Sequence, residues 1–291
     1  MSLLLKFNLI LLLVFAAALA PAAWVTNRYL QEGAKTQVIQ NARIMMDSAL
    51  ATRTYTSDQI VGLLEKRVQD EFIPQTVPSY AATEIFSTVR KSNPEYSYKE
   101  ATLNPTNPRD RTTDWEADVV RAFRNDPALT EVVGERDGGR GRSLHLARPI
   151  RITDAKCLAC HDTADRAPAP LLRTYGPDNG FGWKLNEVVG AQIVSLPMRV
   201  PLAMADSAFN AVLGTVAAVF ACLFVIFDLL LWLAVVRPIG RLSALADRVA
   251  GGDLEGAEFA AQGKDEVAKL AGSFNRMRIS LAKAMRLLED P

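Results

Sequence analysis

Two stretches of this chain are apolar almost without interruption, and the remainder alternates with the periods of helices and strands. From Phe7 to Val25 the only strongly polar residue is Asn8, with Lys6 before the run and Arg28 beyond it. That length suffices to cross a hydrocarbon core of roughly 30 Å. Ala17, Ala18, Ala20, Ala22 and Ala23 also resemble a processing site, so a cleaved secretory signal competes with a retained anchor. The run exceeds the signal-peptide core of roughly 7–15 residues, which favours the anchor. The second stretch, Phe209 to Val236, is too long for a buried core helix and ends at Arg237, Pro238 and Arg241. Arginine directly after a span marks its cytoplasmic side, so the segment between the spans is expected outside the cytoplasm. Asp228 inside this span argues for a partner in the membrane, unless it snorkels to the inner edge.

Between the spans the periodicity changes from helical to strand-like. Helices are expected over Glu32–Gln69, Ser79–Lys91 and Asp114–Arg124, the last with Asp114 as N-cap. Strands are expected over Leu129–Glu135 and Ser143–Ile152, flanking the turn residues Asp137, Gly138 and Gly139, and over Val188–Pro197. Helices ahead of an antiparallel sheet predict an α+β domain, with a loop of about Thr153 to Lys184 folded over one sheet face.

Composition narrows the class. Among 291 residues the 33 basic and 32 acidic side chains nearly cancel, so nothing recommends a nucleic-acid partner. A hydrophobic share of 49% excludes a disordered chain. Three cysteines are too few for a disulfide framework.

After the second span, Ile239, Leu242, Ala246 and Val249 form a short amphipathic helix that Gly251 and Gly252 close. Asp265 and Glu266 then open a helix in which Val267, Leu270, Phe274, Met277, Leu281, Ala284 and Leu288 keep heptad spacing. One helix cannot bury that seam, so a parallel four-helix bundle of two copies is expected rather than a helix lying on the membrane. A proline after a membrane helix, two heptad helices and a glycine-bearing connector resemble a HAMP domain over roughly Val236 to Leu288. The resemblance implies a homodimer that relays a change from the membrane. With only Glu289, Asp290 and Pro291 left, the output is expected on a separate cytoplasmic protein.

Cys157-Leu158-Ala159-Cys160-His161 has the spacing at which two thiols bind the vinyl groups of haem while the next imidazole ligates its iron. Zinc would need more ligands than His145 adds. A thioredoxin-like motif needs a strand-to-helix setting, and a plain disulfide leaves His161 without a role. The expected cofactor is one covalent haem c. For the opposite iron position, no exported cysteine exists. Met46 is favoured, because it shares a helix face with Ile39, Leu50 and Arg53; Met45 and His145 are alternatives, and Met198 and Met204 are more distant candidates. Arg53 and Arg148 are candidate propionate contacts, and Phe181 and Trp183 candidate haem cover. Asp110, Arg111 and Arg140 to Arg142 read as solvated surface.

The intervening region also resembles the periplasmic c-type haem sensor family with a PAS-like fold, the Tll-type domain. The matching segments include Arg53-Thr54-Tyr55-Thr56, Val77-Pro78-Ser79-Tyr80, Glu95-Tyr96-Ser97-Tyr98-Lys99-Glu100-Ala101 and Asn104-Pro105-Thr106-Asn107-Pro108. Further on come Ala147-Arg148-Pro149-Ile150, the haem loop, Tyr175-Gly176, Asn179-Gly180-Phe181-Gly182-Trp183 and Gly190-Ala191-Gln192-Ile193-Val194. The resemblance implies a PAS-like sheet, attachment through Cys157 and Cys160, and His161 as an axial ligand. The expected layout is a cytoplasmic N-terminus (1–6), a membrane helix (7–25), a periplasmic sensor (26–206), a second membrane helix (209–236) and HAMP (237–288) in a bacterial inner membrane. The function so implied is a membrane receptor for redox state or a small gas. A membrane-anchored cytochrome electron carrier is the alternative, and a sensor of an organic ligand a third reading. No nucleophile–base constellation points to an enzyme.

Overall fold

The computed structural model describes residues 3–138, 141–254 and 265–289, so Gly139 and Arg140 lie outside the described residues, as does the side chain of Leu288. Contacts divide the chain into two units, residues 27–208 and the pair of segments 1–26 and 209–291.

Helix α1 spans Leu3–Tyr55 and is followed by a π turn, Thr56–Ile60, and α2, Val61–Val68. The helix expected over Glu32–Gln69 is therefore interrupted by one wider turn. In the unit of residues 27–208, α3 is Pro78–Ser92, β1 Ser97–Thr102 and α4 Asp114–Asn125. Next come β2, Val132–Gly138, β3, Gly141–Arg151, the one-turn α5, Leu158–His161, α6, Ala169–Tyr175, and β4, Val188–Pro197. The strands form one antiparallel sheet in the order β1-β4-β3-β2. One strand, β1, thus lies among the helices where none was expected, and β2 begins three residues later than its hydrophobicity suggested.

Alternation along the strands makes two cores. Leu144, Leu146, Val194 and Leu196 pack with Tyr98 against Val38, Ala42, Met46 and Ala49 of α1. On the opposite sheet face, Ala101, Ala147, Ala191 and Ile193 pack against Val120 and Phe123 of α4. Helix α4 is capped by Thr113, not Asp114: the Thr113 N–H donates to Glu116 at 2.7 Å, one half of a capping box. Glu116 also takes the ammonium of Lys99 from β1 at 2.7 Å, so one carboxylate ties the helix start to the sheet edge.

In the other unit, α7 (Arg199–Leu231) passes through a π turn, Trp232–Val236, into α8, Arg237–Ala250, and α9 is Glu266–Glu289. Among the described residues, two helices are long and apolar enough to cross a membrane, one near the N-terminus and one spanning Arg199–Ala250. Pro238 sits at the start of α8, where its missing N–H falls just past the π turn. Gly251 and Gly252, the latter at φ +96°, end α8 as expected. Asp265 caps α9 by accepting from the Ala268 N–H at 2.8 Å. Leu242 and Val249 of α8 and Ala271 of α9 are buried, whereas Leu270, Met277 and Leu281 of the heptad seam are exposed. Asp228 has a partner within the chain: it accepts from the Asn8 side chain at 3.0 Å.

Candidate functional site

The Cys157–His161 segment is built on one tight turn. Asp154 accepts from the Lys156 N–H at 2.8 Å and starts a 3-10 turn, Ala155–Cys157, that runs into α5. Residues three apart on such a turn face the same way, which is the arrangement two thiols need to reach one planar group. Both are free and half-buried. Burial pushes both thiols up; Asp154 adds to the effect at Cys157 and Arg53 opposes it, while Cys157 adds to it at Cys160. They stand as neutral, accessible thiols.

His161 is held from two sides. Its Nδ1 lies 2.7 Å from the Gly180 carbonyl, which can only accept, so Nδ1 carries the hydrogen and the Nε2 lone pair is the free one. The Trp183 ring stacks on the imidazole at 3.8 Å between centroids and 11° between planes. Burial lowers the affinity of His161 for a second proton, which keeps it in the neutral form that binds metals. Two backbone bonds, Gly182 N–H to Asp162 O and Trp183 N–H to His161 O, stitch the two loop arms together. Gly180, at φ +86°, seats against Thr106; a Cβ there would lie 1.9 Å from Thr106 Oγ1. That hydroxyl is buried and has no hydrogen-bond partner among the described residues. Phe72 meets Tyr175 edge-on at 5.5 Å, and Arg173 donates to the Asp70 carbonyl, so the loop also rests on the segment after α2.

Arg53 of α1 is near enough to Cys157 for the two to influence each other's charge. Its guanidinium is paired with Glu100 of β1. The Tyr98 hydroxyl donates to Glu100 at 2.7 Å, and Gln192 of β4 donates to that hydroxyl at 3.0 Å. Burial, then the charge of Glu100, raises the Tyr98 phenol far above its usual range, so it stays a donor. Sequence reasoning missed Tyr98, Glu100 and Gln192, although the first two stand two apart in a matching segment, as residues on one strand face must. Asp110, expected on the solvated surface, is half-buried; burial pushes its carboxyl up to about 6, the Glu100 charge adding and Arg109 and Lys99 opposing.

The other expected residues fall in different places. Met46 is fully buried in the α1-face core, and Met45 packs half-buried against it. Met46 precedes Arg53 by seven residues, roughly 10 Å along the helix axis. Met198 is buried in the same core, whereas Met204 is exposed. His145 does not join the site. Strand alternation turns it to the α4 face, where its ring lies against Trp115 at 5.0 Å and fills the notch left by Gly134. The sheet therefore separates it from Met46 and from Arg53, which pairs with Glu100 on the α1 face. Arg148 faces α1, but Asp47 at 2.7 Å and Glu131 at 3.1 Å already occupy its guanidinium. Trp183 covers His161 itself, and Phe181 is half-buried two residues earlier.

The residues present fit a haem: two unpaired thiols on one turn, a neutral imidazole with Nε2 free, and a cation and an unpartnered hydroxyl beside them.

Among known proteins, residues 31–197 match the family described as Tll0287-like, and residues 230–283 match the HAMP domain. The crystal structure of the cyanobacterial heme-protein Tll0287 is similar at 20% identity and a TM-score of 0.42, covering 55% of this chain and 94% of that one. No curated protein matches the chain.

Proposed function

The chain belongs to the Tll0287-like family, and from that membership, with a HAMP domain following it, we propose a haem-based signal receptor of the bacterial inner membrane. The combination is that of a signal transducer rather than an enzyme. In this reading residues 26–206 face the periplasm, the helices at 7–25 and 209–236 cross the membrane, and the HAMP helices act in the cytoplasm as a homodimer upon an output protein. The arginines after Val236 support that orientation.

Cys157 and Cys160 would hold one haem c through thioethers, His161 would offer Nε2 to its iron, and Arg53 would face a propionate. Bound there, the haem would supply an iron whose redox state and sixth position respond to electrons or a small gas. Met46 lies on the same sheet face and is proposed opposite His161. The chain's own contribution is positional. Gly180 and Trp183 fix the imidazole, and the Gly180 carbonyl, by accepting the Nδ1 hydrogen, makes Nε2 a better donor. Met46 and Arg53 both belong to α1, so a change in what these side chains hold is a change in the setting of α1 against the sheet. The two helices that leave this unit, α1 and α7, are the routes by which such a change reaches the HAMP helices.

The observation that carries the reading is the His161 Nδ1 bond to Gly180 beside two unpaired thiols. Mass spectrometry of the matured chain should find one porphyrin on Cys157 and Cys160, and Met46→Ala should change the optical spectrum. A colourless chain without the adduct overturns the reading. If removal of residues 240–291 leaves the cellular response intact, the chain is an anchored electron carrier instead.

A further inference from the structure

Asn8 and Asp228 belong to the two candidate membrane helices, and their side chains meet: Asn8 Nδ2 donates to Asp228 Oδ2 at 3.0 Å. Each side chain has a second oxygen. Asn8 Oδ1 and Asp228 Oδ1 are both buried, and neither has a hydrogen-bond partner among the described residues. The same seam continues where Phe15 stacks on Phe220 at 3.4 Å, seven residues further along α1 and eight residues back along α7. The nearest arginine in sequence, Arg237, lies over the Trp232 ring at 5.6 Å.

A carboxylate and a carboxamide facing each other can make one bond, because three of the four heavy atoms are then acceptors only. That leaves two buried acceptors without donors among the described residues. One proton removes the mismatch. Placed on Asp228 Oδ1, it turns that oxygen into a donor, and the oxygen still lacking a donor is Asn8 Oδ1. Two parallel bonds then close a ring between the spans, and no buried charge remains.

We propose that Asn8 and Asp228 form a closed carboxamide–carboxylic acid pair, with a proton bound on Asp228 between the two membrane helices. The proton comes from bulk water, and no other bond is made or broken. The pair acts as a register lock: both bonds hold only while the two helices keep one axial alignment, and sliding either by a turn, roughly 5.4 Å, breaks both. This site is independent of the haem.

The test uses the full chain in phosphatidylcholine vesicles. Infrared spectra at neutral pH are expected to show the carbonyl stretch of a protonated carboxyl that Asp228→Asn removes and Asn8→Ala shifts. Helix alignment is read separately by oxidative crosslinking within one chain of Phe15→Cys to Phe220→Cys, in a Cys222→Ala background. Asp228→Asn keeps a two-bond amide pair and should crosslink at an unchanged rate, whereas Asp228→Leu should slow it about tenfold. Absence of the protonated-carboxyl stretch, or equal crosslinking in Asp228→Leu and Asp228→Asn, overturns the proposal.

Discussion

Gly180 adopts φ +86° and lets the loop approach Thr106 so closely that any side chain would collide with it. The same residue presents the carbonyl that accepts the His161 Nδ1–H. Gly180→Ala is therefore expected to loosen that bond while leaving the thiols in place. A less basic histidine stabilises oxidised iron less, so an optical redox titration should find a higher midpoint potential with attachment retained. Asp110 is the residue whose behaviour is set by pH. Its folded carboxyl titrates at about 6 instead of the ordinary 3.8, because burial and Glu100 disfavour the charge. A raised value means the folded state holds the proton more tightly. The contribution to stability is full below the ordinary value and is lost as pH rises through about 6. Asp110→Asn should make residues 27–208 more stable at pH 7, by about 2 kcal/mol at most. Urea denaturation followed by tryptophan fluorescence should also show a flatter dependence between pH 4 and 7.

Among the elements, Arg148 ties three together: β3 carries it, Asp47 receives it on α1, and Glu131 receives it just before β2. Arg148→Gln should destabilise the unit of residues 27–208 by about 1–2 kcal/mol, since both carboxylates lose a charged donor. In the proposed haem site the α1 cation is Arg53, so the optical spectrum should not change; a spectral shift would mean that Arg148 touches the haem. How legible each element was depended on what its buried face contains. Strand β4 was readable from end to end, since apolar Val188, Ala191, Ile193, Val194 and Leu196 dominate it. Strand β1 was not, because one face buries Glu100 and the other half-buries Lys99, whose charges are satisfied by Arg53 and Glu116 from distant parts of the chain. A strand with partnered charges inside looks like a polar loop until its partners are known. The cysteine–histidine turn was legible because its chemistry is local, whereas the Tyr98–Glu100–Gln192 support depends on the register of β1 against β4. His145, the one histidine besides His161, is an alternative ligand by residue type alone; a one-residue offset from Leu144 and Leu146 turns it to the opposite sheet face, a placement that depends on strand register.

For the molecule as a whole, the C-terminal helices leave work for a second copy. Leu242, Val249 and Ala271 are covered within one chain, but Leu270, Met277 and Leu281 of α9 remain exposed. In the proposed homodimer, pairing of two chains would cover them, as a heptad seam does. Leu281→Asp should therefore weaken the dimer of the full chain in detergent about tenfold or more, the equivalent of roughly 1.4 kcal/mol or more. Analytical ultracentrifugation measures this, and the haem spectrum serves as an unchanged control.

The π turn at Trp232–Val236 has a consequence for how such a receptor can be tuned. A π turn accommodates one more residue than an α turn does, and each residue represents about 100° of rotation. Removing a single residue from it would let the chain close as an ordinary α turn, with α8 still presenting its apolar stripe in the same direction. The same deletion inside α8 has no spare residue to absorb it and would swing the remaining stripe by about 100°, so resting output should survive the first change and shift with the second.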